Sequence, residues 1–150
     1  MAETPQAIFR HIMVPTDGSK PSVAAGRLAV RLAAVHRARI TFVYVVDDTV
    51  VEELAGASGR MAKQIQHELE TTGQRYLNYL SRLATDANLT SKQVIRRGMP
   101  YSEIADLARE EGVDLIVIGQ VGRHGPRRIL IGSVTERVIE RAPCPVLVVK

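Results

Sequence analysis

Glycines, hydroxyls and cations crowd one short stretch of the chain, Gly119-Gln120-Val121-Gly122-Arg123-His124-Gly125-Pro126-Arg127-Arg128-Ile129-Leu130-Ile131-Gly132-Ser133. Glycines at 119, 122 and 132 permit close backbone approach, and a helix opening at Ser133 would turn unpaired amides and a positive dipole end toward an anion. Ser133 and Thr135 add hydroxyl donors, and Arg123, His124, Arg127 and Arg128 make the stretch cationic with no acidic residue between 119 and 132. The combination reads as a phosphate cradle. Each part also has a plain structural reading: glycines end strands, Ser-x-x-Glu from Ser133 to Glu136 fits a capping box, and exposed arginines are commonly solvated.

A second candidate is Asp17 in Pro15-Thr16-Asp17-Gly18-Ser19. Its carboxylate could accept hydrogen bonds from a ribose or an adenine amino group, and an Asx-turn or helix-cap role explains it equally well. Neither Gly-x-Gly-x-x-Gly nor Gly-x-x-x-x-Gly-Lys-[Ser/Thr] is present, so dinucleotide and P-loop enzymes are not supported. The four histidines, 11, 36, 67 and 124, are dispersed, and no Ser-His-Asp set or paired carboxylate stands in the loops, which leaves at most weak turnover. Cys144, between two prolines, reads as a buried inert thiol.

These groups need elements to position them. Residues 7–14, 39–46, 93–97, 114–118 and 145–149 are short β-branched runs of strand length, several of them uniformly apolar, as strands covered on both faces are. Between the first two, Val23, Ala24, Leu28, Leu32 and Val35 recur at helical spacing behind a cap at Ser19 or Ser22. A longer helix is predicted over 61–87 and further helices over 100–111 and 133–141, with 50–59 a loop or frayed helix. Strands alternating with helices imply right-handed crossovers and a single-domain, three-layer α/β/α sandwich around a parallel sheet. Ligands then bind beyond the carboxyl ends of the strands, at the loops after Val14, Val46 and Ile118.

Composition agrees with one such domain. The chain has 150 residues, 45% hydrophobic and 24% charged, a net charge of +4 and a pI near 9.6, without the dense charge of a nucleic-acid coat. Two Phe, four Tyr and no Trp leave few stacking platforms, so nucleic acid is a disfavoured partner. One cysteine excludes an internal disulfide framework. No apolar run reaches the ~20 residues of a membrane span, and the first ten residues lack a secretory apolar run, so the expected location is cytoplasmic.

Gly-x2-Gly-x9-Gly-[Ser/Thr], met by Gly119, Gly122, Gly132 and Ser133, resembles the nucleotide-binding pattern of the universal stress protein family. The resemblance extends over nearly the whole chain: Ile12 to Ser19, Phe42 to Val45, Gly98-Met99-Pro100, Gly112 to Gly119 and Ala142 to Val149 match its landmarks in order. It implies a Rossmann-like, five-stranded parallel sheet of order 3-2-1-4-5, of the adenine nucleotide alpha-hydrolase type, over residues 1–150 with 1–6 disordered. It further implies an ATP-binding regulatory switch in a stress or energy response. Alternatives are a slow ATPase or a binder of AMP or cyclic AMP.

By the same resemblance, adenine and ribose would lie near Pro15, Thr16, Asp17 and the backbone of Val45, flanked by Ile118 and Gly119. The phosphates would meet Gly122, Gly132, Ser133, Val134 and Thr135, with Mg or Mn on their outer side and no metal site of the protein's own, and Arg123 counts among the ATP-binding residues. A homodimer through Val146, Leu147, Val148 and Val149 is expected, since that run would otherwise leave an apolar edge. The sequence departs from the common family form at Gln120-Val121, where a small hydroxyl residue followed by His or Arg is frequent, and at Gly125-Pro126, which would stiffen the loop. These departures predict altered phosphate or metal contacts, not loss of binding.

Overall fold

The computed structural model describes residues 6–123 and 130–150. Five strands, β1 (His11–Pro15), β2 (Arg39–Asp47), β3 (Ser91–Gly98), β4 (Leu115–Gly119) and β5 (Val146–Val149), form one sheet of order β3-β2-β1-β4-β5. Every pairing is parallel, with Ile12 beside Ile40 and Leu115, and Gly119 beside Val149. The order reverses between β1 and β4, so their carboxyl ends part and open a crevice. β1 and β4 are buried along their whole length, which is why their sequences are apolar on both faces.

Helices α1 (Lys20–His36), α2 (Asp48–Ser58), α3 (Ala62–Asp86), α4 (Pro100–Glu111) and α5 (Ser133–Arg141) complete the three layers. One core lies under α1 and α3, built on Ile12, Val14, Ile40, Phe42, Leu77, Leu80 and Val117. The other lies under α4 and α5, built on Met13, Val43, Ile104, Leu107, Ile116 and Val138.

Three expectations change. The buried face of α1 is Ser22, Ala25, Gly26, Ala29, Val30 and Ala33, while Val35 is 80% exposed. The stripe of larger apolar residues flanks the contact because small side chains let the helix sit closer to its neighbours: a Cβ on Gly26 would lie 2.5 Å from a Leu80 methyl. Residues 48–58 form a regular helix, capped at its start by the Asp47 carboxylate on the Thr49 amide (2.9 Å) and ended by Gly59 at φ 68°. β1 begins at His11 rather than residue 7, since Ile8 is 75% exposed and lies outside the sheet. Residues 1–5 of the segment expected to be disordered lie outside the described residues.

β3 is an edge strand, and its charge is matched from the neighbouring helices. Arg96 bonds Glu103 (3.0 Å) and Glu110 (3.1 Å), and Arg97 bonds Glu70 (2.8 Å). Cys144 is half-buried, and burial pushes its thiol above the ordinary value, away from the reactive thiolate.

Candidate functional site

The β1/β4 crevice holds a cleft of about 450 Å³. Pro15, Thr16, Asp17, Val45, Ile118, Gly119, Gly122, Arg123, Gly132, Ser133, Val134 and Thr135 all line it, so these twelve candidates surround one opening. Other lining residues were not expected. Val50 and Leu54 come from α2, Leu69, Thr72 and Tyr76 from α3, Pro100 and Ile104 from α4, and Val121 from the loop after β4. The walls are therefore largely apolar, suited to a flat ring system, with polar groups at one end.

Local sequence sets the polar end. Ser19 caps α1, its side chain accepting from the Ser22 amide (3.3 Å), and Thr16 shares a buried hydroxyl contact with Ser22 (3.0 Å). Asp17 faces the cleft with its carboxylate accepting from the amides of Ser19 (3.0 Å) and Arg123 (2.6 Å). It is thus both an Asx-turn residue and a tie across the crevice. A carboxylate has about four acceptor positions, so two amides leave room for a ligand hydroxyl or amino group.

Two glycines shape this end of the cleft. A Cβ on Gly122 would lie 2.6 Å from Asp17 Oδ2, closing the gap that the Arg123 amide crosses. Gly18, at φ 78°, has the left-handed backbone that favours glycine, and a Cβ there would lie 2.2 Å from the Tyr76 ring. Tyr76 in turn meets Tyr44 edge-on at 6.1 Å between centroids. Burial raises the Tyr44 hydroxyl above its usual pKa, so it stays neutral at physiological pH.

The expected roles of two side chains need correction. Thr135 was expected to offer its hydroxyl to a phosphate, but it donates to the Gly119 carbonyl (2.7 Å) and is 3% exposed, so it fastens α5 to the end of β4. Arg123 does not turn its charge toward the α5 terminus. Its guanidinium donates to the carbonyls of Asp17 (3.3 Å) and Gly18 (3.0 Å) and stands 5.6 Å from the Tyr76 ring centroid, at the Asp17 side of the cleft. His124, Gly125, Pro126, Arg127 and Arg128 lie outside the described residues.

α5 starts at Ser133 as predicted, but its N-cap is Gly132, and the capping box at Ser133 does not form. The reason is register: Glu136 N–H donates to the Gly132 carbonyl (2.9 Å), which makes Ser133 the first helical residue. The first-turn amides of Ser133, Val134 and Thr135 therefore have no intrahelical acceptor, and Gly132 supplies no side-chain oxygen to cap them. They lie at the cleft wall with the exposed Ser133 hydroxyl beside them. Such a terminus suits an anion.

The carboxylates lining the cleft are Asp17 and Asp47, both engaged by backbone amides. Among the described residues no cluster of three metal-ligating side chains occurs, and no helix is long and apolar enough to cross a membrane.

The architecture is a three-layer α/β sandwich with a largely apolar cleft at the switch point of its parallel sheet, closed at one end by the first turn of α5. The universal stress protein family model matches residues 8–150, and the chain belongs to that family. Universal stress protein MJ0531 of Methanocaldococcus jannaschii is 37% identical over 144 residues, spanning 95% of this chain and 83% of its own length. Universal stress protein UspA from Lactobacillus plantarum superposes with a TM-score of 0.83 at 28% identity, covering 98% of this chain and 100% of that one. A universal stress protein solved in complex with cAMP superposes with a TM-score of 0.69 at 25% identity, covering 94% and 96%.

Proposed function

We propose that this protein binds ATP in the β1/β4 cleft and acts as a nucleotide-dependent regulatory protein in a stress or energy response, with at most slow hydrolysis. The observation that carries the reading is the pairing, within one cleft, of an apolar slot ending at Asp17 with the amide-bearing first turn of α5. Adenine is placed in the slot between Val45 and Ile118, with its ribose on Asp17. The phosphates then reach Gly122, Gly132 and the amides of Ser133, Val134 and Thr135, where a helix terminus favours negative charge. A Mg or Mn ion would travel on the outer side of the phosphates and neutralise them. A regulatory role fits a site whose lining carboxylates, Asp17 and Asp47, are engaged by backbone amides.

A second reading, cyclic AMP or AMP, is favoured by the cAMP complex of a relative at 25% identity. The two differ in phosphate length, so competition of ATP, AMP and cyclic AMP for the same saturable site in the presence of Mg distinguishes them. Preference for ATP supports the first reading, and tighter cyclic AMP binding replaces it with the second. We also propose a homodimer through β5, the edge strand opposite β3, whose Leu147 is 38% exposed.

A further inference from the structure

Gln120 stands at the foot of the loop that separates β4 from α5, and its groups face both ends of that loop. Its amide N–H donates to the Val149 carbonyl on β5 (2.7 Å), anchoring it to the sheet. Its own carbonyl accepts from the Gly132 amide (2.8 Å), and its side-chain amide donates to the Leu130 carbonyl. One residue thus ties the end of the sheet to the two residues on either side of Ile131, immediately before α5. The backbones also pass close together there: a Cβ on Gly132 would lie 3.2 Å from Val121 Cα and 3.4 Å from the Gln120 carbonyl oxygen.

We propose that Gln120 is a positioning residue for ligand phosphate, its side chain acting as a strap that holds the Leu130–Gly132 segment, and so the first turn of α5, at the cleft in the absence of ligand. The proposal rests on the nucleotide reading above and deepens it. Only a side chain with a donor several bonds from the backbone can make the link, because the Gln120 main-chain groups are already taken by Val149 and Gly132. Gln120 does not line the cleft, so it acts through the amides it positions and not by touching the ligand. Pre-organised amides need no ordering when an anion arrives, which is the physical source of the gain.

The test is Gln120→Met, which keeps the length and removes the donor, beside Gln120→Glu, which sets a carboxylate against the Leu130 carbonyl. ATP affinity with Mg is expected to fall about threefold to tenfold in Gln120→Met, the range of one net hydrogen bond, and further in Gln120→Glu. Adenosine, which carries no phosphate, should compete for the slot with unchanged affinity in both. The melting temperature of Gln120→Met should stay close to that of the parent protein. Equal loss for ATP and adenosine, or no loss for ATP, overturns the proposal.

Amide hydrogen exchange of the ligand-free protein supplies a readout that does not depend on nucleotide. The Gly132 amide, bonded to the Gln120 carbonyl, and the Glu136 amide, bonded to the Gly132 carbonyl, should exchange faster in Gln120→Met than in the parent. Unchanged exchange there overturns the strap. Lack of saturable ATP binding by the parent protein, with faster exchange in the variant, would instead remove the nucleotide reading and with it the phosphate role, while leaving the strap itself demonstrated.

Discussion

Thr135 and Ser133 stand two residues apart on the first turn of α5, and their hydroxyls are assigned opposite duties. Thr135 is 3% exposed and donates to the Gly119 carbonyl at 2.7 Å, whereas Ser133 is exposed at the cleft. Thr135→Val replaces the hydroxyl by a methyl of similar volume and leaves the Gly119 carbonyl short of a buried donor. Losing a buried partner costs about 1–3 kcal/mol, taken here as about 2 kcal/mol. For a domain of 150 residues each kcal/mol lowers the melting temperature by roughly 2–4 °C, so a drop of about 4–8 °C is expected. The Thr135 backbone amide is untouched, and ATP affinity should stay within about twofold, well under the factor of ten that 1.4 kcal/mol represents.

Ser133→Ala should do the reverse. Its melting temperature should be unchanged, because surface substitutions usually fall within about 0.5 kcal/mol, while ATP affinity falls about threefold to tenfold with the loss of one ligand hydrogen bond. Calorimetric melting and isothermal titration on both variants supply the measurements. A Thr135→Val protein that melts normally and binds ATP ten times more weakly would refute the assignment, since its hydroxyl would then serve the ligand.

Other outcomes follow from the same geometry. Gly18→Ala should destabilise by about 1–2 kcal/mol from its left-handed backbone alone, with a further loss from the Tyr76 ring. Adding Tyr76→Ala should recover only that steric part, so urea unfolding of the two single variants and the double variant should be non-additive. His11 is 5% exposed, and burial with the charge of Arg39 holds its pKa below 6.5 against the opposing pull of Glu111 and Asp114. The unfolded chain then binds more protons near pH 6, so stability should fall as pH drops below about 6.5 toward the folded pKa. Urea midpoints at pH 7.5 and 5.5 should converge in His11→Gln. Leu147→Asp, on the exposed edge strand, should shift the sedimentation coefficient at micromolar concentration to that of a monomer if β5 forms the dimer. An unchanged coefficient would remove β5 from the interface.

Much of the site was legible because its constraints are backbone constraints. Gly119 and Gly132 occur where backbones pass within contact distance: a Cβ on Gly119 would lie 2.8 Å from the Pro21 backbone, and one on Gly132 3.2 Å from Val121 Cα, while one on Gly122 would lie 2.6 Å from the Asp17 carboxylate. Such positions leave a mark in local sequence. The apolar slot left none, because Leu69 and Tyr76 on α3 reach the cleft from far along the chain and look there like ordinary core residues. The same limit applies to α1, whose sheet-facing surface is built from Ala25, Ala29 and Ala33, while periodicity pointed to Leu28, Leu32 and Val35.

Hydroxyls show the limit most clearly. Spacing placed Thr135 on the first turn of the right helix, but only the fold shows that Gly119 ends its strand within reach of the side chain. Asp17 admitted both a turn and a ligand role from sequence, and its bonds to Ser19 and Arg123 show the turn role together with a cross-cleft tie that no spacing rule contained.

Calorimetric titration of nucleotide-free protein with ATP and Mg, alongside Gly132→Val, tests whether the β1/β4 cleft binds ATP. At φ −67° the backbone at Gly132 tolerates a side chain, but the valine would press on Val121 Cα and the Gln120 carbonyl, 3.2 and 3.4 Å from its Cβ, and crowd the α5 end of the cleft. Saturable binding by the parent protein, lost in the folded variant, is the predicted result. Equal binding by both, or none by the parent, would contradict it.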